Sequence, residues 1–245
     1  MFQRLFIPFC LGFSLTSFVA CNLVKTNPIP ADQKLNLSRK GLNEIPEYVY
    51  ERTDLKVLRL YGNKIDSISP RIAELTNLQK LYLGKNDLTT LPGEIGEMKN
   101  LKTLSVSYNE LDSLPDELGG LTSLEQLWLD QNQLTYLPNT IGDLENLKTL
   151  ELQYNWLESI PSELGNCAKL EFLHLDRNDL DSIPATLGSL RQLRELHLVN
   201  AGNLLNVPEE LCQLRLLELI EIDGTTALPA CMYVLQANRL QIVRR

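Results

Sequence analysis

The chain has few of the residues that most often carry metal or redox chemistry. Histidine occurs twice and cysteine five times in 245 residues. The sequence contains no CxxC pair or histidine-rich tract, which argues against a zinc module built on such spacing. It also lacks a phosphate-binding loop, a nucleophile elbow and a zinc-binding helix motif. Because the residues after Pro229 are too few for a further folded domain, we expect no catalytic function.

Positive charge is also in deficit. The formal net charge is -8 at pH 7, and the isoelectric point is near 4.9. Nucleic acids and anionic lipid surfaces attract basic surfaces, so we expect no nucleic-acid partner. A content of 44% hydrophobic and 22% charged residues is ordinary for a globular protein.

A long apolar run is confined to the N-terminus, where residues 5–20 follow the single cation Arg4. The run is about 16 residues long and contains Pro8, whereas a membrane span needs roughly 20 residues. Residues 1–20 are therefore predicted to be a signal peptide. The proline-containing residues 21–31 are predicted to be a tether.

The end of this run, "SFVAC" at residues 17–21, resembles the lipobox of bacterial lipoproteins, although Phe18 stands where leucine is usual. The resemblance implies that Cys21 becomes the lipidated first residue and anchors the protein to a membrane. Ordinary signal cleavage, which would give a secreted protein, and a retained anchor are the alternatives.

From Leu55 onward the sequence repeats itself every 23 residues, as in "LKTLSVSYNELDSLPDELGGLTS" and "LEQLWLDQNQLTYLPNTIGDLEN". Self-similarity at this period is typical of a solenoid. These units resemble leucine-rich repeats of the 23-residue type, and the resemblance extends from residue 32 to about residue 230. It implies an α/β horseshoe with a parallel sheet on the concave face and short helical or 3₁₀ turns on the convex face.

The repeat pattern has a physical basis. In LxxLxLxxN, alternate leucines of a strand face the interior and the intervening residues face outward. The asparagine amide at the following bend is expected to bond neighbouring backbone groups. Since one unit cannot bury its leucines alone, the array must be capped at both ends. We predict an N-terminal cap over 32–54, seven repeats over 55–216, and a C-terminal cap over 217–245 that ends in a helix-compatible stretch.

Three cysteines lie in the predicted solenoid. Cys167 replaces an apolar residue of its unit and is expected to be buried. Cys212 and Cys231 occupy the return segments of neighbouring units, and an extracytoplasmic location would permit a disulfide between them. Spacing alone does not place two sulfur atoms within bonding distance, so free thiols remain the alternative.

Strand alternation also predicts which side chains share the concave face, with neighbours about 4.8 Å apart. The central outward positions form one ladder: Asn36, Arg59, Tyr82, Ser105, Trp128, Glu151, His174, His197 and Glu221. Concave positions up to Lys102 carry cations and no acid, whereas those from Glu125 onward are mostly acidic. Aromatic residues occupy the middle.

We predict that this face binds a protein partner, since aromatic side chains are favoured anchors and opposed charges orient a partner. The predicted surface comprises Arg59, Lys80, Tyr82, Lys85, Tyr108, Trp128, Glu151, Tyr154, Phe172, His174 and His197. Resemblance to secreted bacterial repeat proteins implies a host or cell-surface partner. The alternatives are that these charges and rings only solubilise and cover the sheet, or that the protein is an intracellular signalling scaffold.

A second hypothesis concerns a metal ion. The ladder residues Glu151, His174, His197 and Glu221 could share Zn²⁺ or a similar ion between two imidazoles and a carboxylate. The 23-residue separation of the histidines equals the repeat length, so the spacing is not itself a metal signal. In the alternative, both histidines belong to the recognition surface and no cofactor is bound.

Overall fold

The computed structural model describes residues 33–204 and 206–245. The predicted signal peptide, the lipidation site Cys21 and the tether lie outside the described residues. Strands of three or four residues recur once per repeat and form one parallel sheet in chain order. They are β1 (Lys34–Asn36), β2 (Val57–Arg59), β3 (Lys80–Tyr82), β4 (Thr103–Ser105), β5 (Gln126–Trp128), β6 (Thr149–Glu151), β7 (Phe172–His174), β8 (Glu195–His197), β9 (Leu219–Ile222) and β10 (Gln241–Arg244).

In each regular repeat, the strand is followed by a short 3₁₀ helix on the side of the solenoid opposite the sheet. In all of these helices but the first, which Ser69 precedes, a proline before the helix pre-sets an extended conformation, as at Pro138 with φ -66° and ψ 146°. These helices span Pro70–Glu74, Gly93–Glu97, Asp116–Gly120, Asn139–Asp143, Ser162–Asn166, Ala185–Ser189 and Glu209–Gln213. The observed architecture is the predicted solenoid.

The core lies between the sheet and the 3₁₀ helices. In a representative unit, Leu124, Leu127 and Leu129 are fully buried from the strand side, and Ile141 and Leu144 are fully buried from the return side. The single continuous cluster of leucine and isoleucine side chains extends along the described solenoid, which is how repeats too small to fold alone stabilise one another.

The repeated asparagines tie each unit to the one before it. The Asn132 Oδ1 accepts from the Leu111 N–H (3.1 Å), and its Nδ2 donates to the carbonyls of Val106 (3.0 Å) and Leu129 (2.9 Å). The same pattern recurs at Asn86 and Asn155. These amides satisfy buried backbone groups and so hold the bend after each strand.

A glycine in the five middle 3₁₀ helices permits close stacking of the returns, whereas Ala73 and Cys212 take this position in the first and the last. A Cβ built on Gly142 would lie 2.4 Å from the Glu163 carbonyl oxygen of the next unit. No real Cβ tolerates that approach, so the glycine of the repeat is required by the distance between neighbouring backbones.

The two ends differ from the regular repeats. At the N-terminal end, α1 (Glu47–Tyr50) replaces the 3₁₀ helix. At the C-terminal end, α2 (Ala230–Asn238) is followed by β10, which pairs with β9 and places Leu240 in the core. The expected helix-compatible stretch therefore ends at Asn238, and the last residues extend the sheet instead. Among the described residues, no helix is long and apolar enough to span a membrane.

The cysteines lie inside the solenoid or at its C-terminal end. Cys212 and Cys231 form a disulfide with their Cα atoms 5.9 Å apart, within the range of native bridges. Cys167 is fully buried, its Sγ donates to the Ile141 carbonyl, and burial raises the pKa of its thiol to about 12. It is a small core side chain rather than a reactive one.

Candidate binding site on the concave face

Outward side chains of the strands form the candidate site. In β5 to β8 the middle residue of each strand is buried and the flanking two are partly exposed. The register pairs Trp128 with Glu151, Glu151 with His174, and His174 with His197. The structure thus brings the predicted central ladder together in the expected order.

The basic end of the face combines cations with tyrosine rings. Arg59 lies over the Tyr82 ring, with its guanidinium carbon 5.3 Å from the ring centroid, and Arg39 lies 5.9 Å from the Tyr61 centroid. Lys80 is exposed beside them. These arrangements keep the cations in place over apolar surface while leaving their charge accessible.

The aromatic centre is a pair of rings that spans three strands. The Tyr82 and Trp128 centroids are 6.3 Å apart with an interplanar angle of 44°. Between them on β4, the outward residues Thr103 and Ser105 are buried at 2% and 8% exposure. Trp128 itself is half-buried, so the two rings and the small residues between them form a shallow apolar floor.

Tyr108 and Tyr154 belong to a different position from the strand aromatics. Both follow a strand, have positive φ of 59° and 60°, and are exposed at 54% and 44%. Lys85 shares this conformation. The sequence predicted that they lie on the concave face but did not predict their left-handed backbone conformation. Gly62, which holds the same position in the first regular unit, was a signal of that conformation, since glycine adopts it readily. They form the rim of the aromatic centre, where Arg177 lies 4.9 Å over the Tyr154 ring.

Two carboxylates of the repeat that contains β5 have opposite environments. Glu125 lies 2.8 Å from Lys148 and 3.5 Å from Lys102, and the hydrogen bond from Lys148 lowers the pKa of Glu125. Burial raises the pKa of Asp130, and the hydrogen bond from Ser107 only partly opposes that rise. Two carboxylates of one repeat are thus shifted in opposite directions, one by neighbouring cations and the other by burial.

Two histidines and several carboxylates occupy the acidic end. The ring centroids of His174 and His197 are 4.1 Å apart. The Nδ1 of His174 is 2.6 Å from Glu151 Oε2, whereas the Nδ1 of His197 is 3.8 Å from both Asp176 Oδ2 and Glu221 Oε2. The carboxylates of the neighbouring strands therefore face the Nδ1 atoms of both rings.

Burial and charge compete at this end. Desolvation is the largest effect on the pKa of His174 and lowers it, but the hydrogen bond that its Nδ1–H donates to Glu151 and the nearby carboxylates outweigh it and leave the pKa raised. At Asp176, desolvation raises the pKa of the carboxyl group, and the hydrogen bond from the Val199 N–H opposes that rise. The raised pKa of Asp176 thus reflects removal of a carboxylate from water, whereas the raised pKa of His174 reflects the surrounding carboxylates.

The other ring nitrogens have different surroundings. The Nε2 atoms of His174 and His197 are shielded from solvent and have no hydrogen-bond partner. Glu195 Oε2 is 3.5 Å from the His197 Nε2 without forming a hydrogen bond. Among the described residues, His174, Glu195 and His197 each offer a ligand atom within 4.8 Å of the others. This group differs from the predicted metal set, since Glu195 takes the place of Glu151 and Glu221, which face Nδ1.

Known proteins show the family to which these features belong. Models described as "Leucine Rich repeats (2 copies)", "Leucine rich repeat" and "Leucine-rich repeat region" match residues 53–93, 76–134 and 117–233. Fold, repeat and concave face together define a leucine-rich repeat solenoid, and the chain belongs to the leucine-rich repeat family. No curated protein sequence matches it significantly.

Solved structures share the fold. A leucine-rich repeat protein of Leptospira interrogans is 32% identical with a TM-score of 0.65, over 86% of this chain and 60% of that one. The ectodomain of the Arabidopsis thaliana membrane receptor kinase GASSHO1/SCHENGEN3, in complex with CASPARIAN STRIP INTEGRITY FACTOR 2, is 36% identical with a TM-score of 0.66, over 76% and 23%. The plant peptide hormone receptor RGFR1, in complex with RGF2, is 28% identical with a TM-score of 0.59, over 87% and 40%. The chain spans less than two thirds of each.

Proposed function

We propose that this protein is a binding module that recognises a protein or peptide partner through its concave face. The fold and the receptor complexes among similar structures support a protein-binding module. The observation that carries the proposal is the Tyr82–Trp128 pair, which provides a half-buried aromatic floor at the centre of an otherwise charged sheet. Large aromatic side chains at the centre of a surface are the usual anchors of protein interfaces.

The charges on either side of the floor define the kind of partner. Arg59 and Lys80 lie on the strands at one end, and Glu151, Glu195 and Glu221 lie on those at the other. We expect a partner with an acidic segment that lies over β2 and β3 and a basic segment that lies over β6 to β9. Such a partner would meet charge of the opposite sign along its whole length. Such complementarity fixes orientation and speeds association more than it adds affinity.

The proposed location is extracytoplasmic, with an anchor at Cys21. The Cys212–Cys231 disulfide supports an oxidising compartment over the intracellular scaffold, and the plant ectodomain among the similar structures is compatible with it. Lipidation of Cys21 rests on the lipobox resemblance. Acyl chains on Cys21 would anchor the protein to a membrane, where a host or cell-surface partner is accessible.

Partner capture tests the proposal. Immobilised protein and its Trp128→Ala variant are exposed to extracellular protein, and the proposal requires a specific protein that the first retains and the second loses. A Tyr136→Ala variant is the matched control, because Tyr136 is an exposed aromatic (53%) outside the strands. Equal retention by all three forms would remove the concave face from the function.

The anchor needs a separate measurement. Mass spectrometry of the N-terminus of the protein from its native cells should show a diacylglyceryl group on Cys21 and loss of residues 1–20. An unmodified N-terminus at another residue, or an uncleaved chain, would contradict the anchor and leave the binding proposal to the capture experiment.

A further inference from the structure

We infer that His174, Glu195 and His197 form a binding site for one divalent transition-metal ion of the zinc class. The site lies on β7 and β8, at the acidic end of the concave face. It is independent of the protein partner proposed above, because its ligands all belong to this chain.

The free nitrogens carry the inference. The Nε2 atoms of His174 and His197 are buried without a hydrogen-bond partner, and an unsatisfied buried polar atom costs free energy that a ligand would recover. The two rings are adjacent, with their centroids 4.1 Å apart. Two unsatisfied nitrogens on neighbouring rings point to a shared ligand. Neither ring donates to the other here, whereas a metal ion accepts a lone pair from each neutral imidazole.

The distances fit the ion. Tetrahedral zinc with bonds of 2.0–2.1 Å holds its ligand atoms about 3.4 Å apart. The Glu195 Oε2 and the His197 Nε2 are already 3.5 Å apart. All three ligand atoms lie within 4.8 Å of one another, close to the separation that a shared ion requires.

The opposite sides of the rings supply the usual support for a metal ligand. Histidine ligands almost always direct the second ring N–H to a carboxylate or carbonyl, which fixes the tautomer and orientation. Here the His174 Nδ1 bonds Glu151 (2.6 Å), and the His197 Nδ1 faces Asp176 and Glu221 (3.8 Å each). Glu151 and Glu221 thus have supporting positions rather than ligand positions.

The charge balance favours a divalent cation of this class. Four carboxylates surround the rings, those of Glu151, Asp176, Glu195 and Glu221. A bound ion would offset their mutual repulsion. Two imidazoles in the set favour zinc, copper or nickel over magnesium or calcium, which prefer oxygen ligands. Three protein ligands leave a coordination position for water or for a donor from another molecule.

Calorimetric titration of the purified, disulfide-intact protein with ZnCl₂ tests the site. We expect one ion per chain at micromolar affinity or tighter. Loss of a supporting carboxylate typically weakens metal binding about 10- to 100-fold, so Glu195→Gln, His174→Gln and His197→Gln should each weaken it at least that much. Glu218→Gln is the matched control, since Glu218 precedes β9, pairs with Arg194 and does not contact the rings; it should leave zinc affinity unchanged.

Further measurements keep the outcome decisive. Circular dichroism establishes that each variant is folded, and Glu195→Gln removes a ligand without altering either ring. Co²⁺ should give the visible bands of a tetrahedral nitrogen and oxygen site in the parent and not in His174→Gln. No binding of Zn²⁺ by the parent, equal binding by the double histidine variant, or preference for Ca²⁺ over Zn²⁺ would each overturn the site.

Discussion

The basic and acidic ends of the concave face hold their charges differently. At the basic end, Arg39 and Arg59 lie over tyrosine rings. At the acidic end, carboxylates are paired with His174 and His197 and with nearby arginines. A cation over an aromatic ring keeps its full charge available to a partner. A carboxylate that is paired with a histidine or an arginine of the sheet has part of its charge offset within the protein. The basic end therefore leaves more of its charge unpaired by this chain's own residues than the acidic end does.

The interior does not share this difference. Asn86 in the basic half and Asn155 in the acidic half make the same bonds, from Oδ1 to a backbone N–H of the preceding unit and from Nδ2 to two carbonyls. The outward residues of the strands can vary from repeat to repeat because they take no part in these asparagine hydrogen bonds. Stability and recognition are thus assigned to different positions of one repeat, and substitutions should separate them.

The largest expected effect is on the free energy of unfolding, and it tests whether the basic and acidic halves have the same interior packing. Gly96→Ala and Gly188→Ala should destabilise the fold similarly, because each new Cβ would approach a backbone oxygen to 1.9 Å and 2.4 Å. Overpacking against backbone costs about 3 kcal/mol at the upper end of the usual range. Urea unfolding measures the loss. Gly93→Ala is the control, since its Cβ would meet only the end of the Glu117 side chain. A loss confined to one half would refute a common interior.

The 23-residue period and the resemblance to leucine-rich repeats predicted the solenoid and its parallel sheet, and strand alternation predicted the order of the outward ladder, because a period of two fixes which side chains face the core. It did not place Glu195 beside the histidines, since contacts between outward columns depend on side-chain rotamers. The strand Gln241–Arg244 was also missed. Its "QIVR" follows a helix-forming stretch, and only pairing with β9 decides its conformation.

Recognition should fail most at the boundary between the two ends. Trp128→Ala should weaken binding of the captured partner by about 2 kcal/mol, or about 30-fold, because it removes half of the aromatic floor. Its effect on unfolding should be smaller than that of the glycine variants, since the ring is only half-buried. Surface plasmon resonance gives the affinity. A Trp128→Ala protein that is folded and binds as tightly as the parent would show that the floor is not an anchor.

Charge at the basic end should affect the rate of association rather than the lifetime of the complex. Lys80→Glu and Lys85→Glu reverse exposed charges of this end, and charges at an interface rim act mainly on the association rate constant. We expect association to slow several-fold, with the difference from the parent reduced as salt screens it. Lys64→Glu makes the same change outside the strands and should have less effect. Slower association by all three variants alike would indicate net charge alone.

The smallest effect concerns the two carboxylates at the boundary, whose pKa values move in opposite directions. Burial raises the pKa of Asp130 above 3.8, despite the hydrogen bond from Ser107 and with Glu151 nearby adding to the rise. The folded state therefore binds that proton more tightly than the unfolded chain, and the resulting stability is lost as pH rises through the folded pKa. The hydrogen bond from Lys148, with Lys102 adding to it, lowers the pKa of Glu125 below 4.5. Its contribution is present above the unfolded value and lost as pH falls through the folded one.

Asp130→Asn, which keeps an acceptor for Ser107 but removes the charge, should therefore be more stable than the parent at about pH 7, and its advantage should shrink as the pH falls toward about 4. Glu125→Gln should be less stable than the parent at neutral pH, with a deficit that also narrows on acidification. Urea unfolding of the three proteins across this range measures both trends. Lysines surround Glu125, whereas burial dominates at Asp130, so stability differences of the same sign in the two variants at neutral pH would contradict these opposite environments.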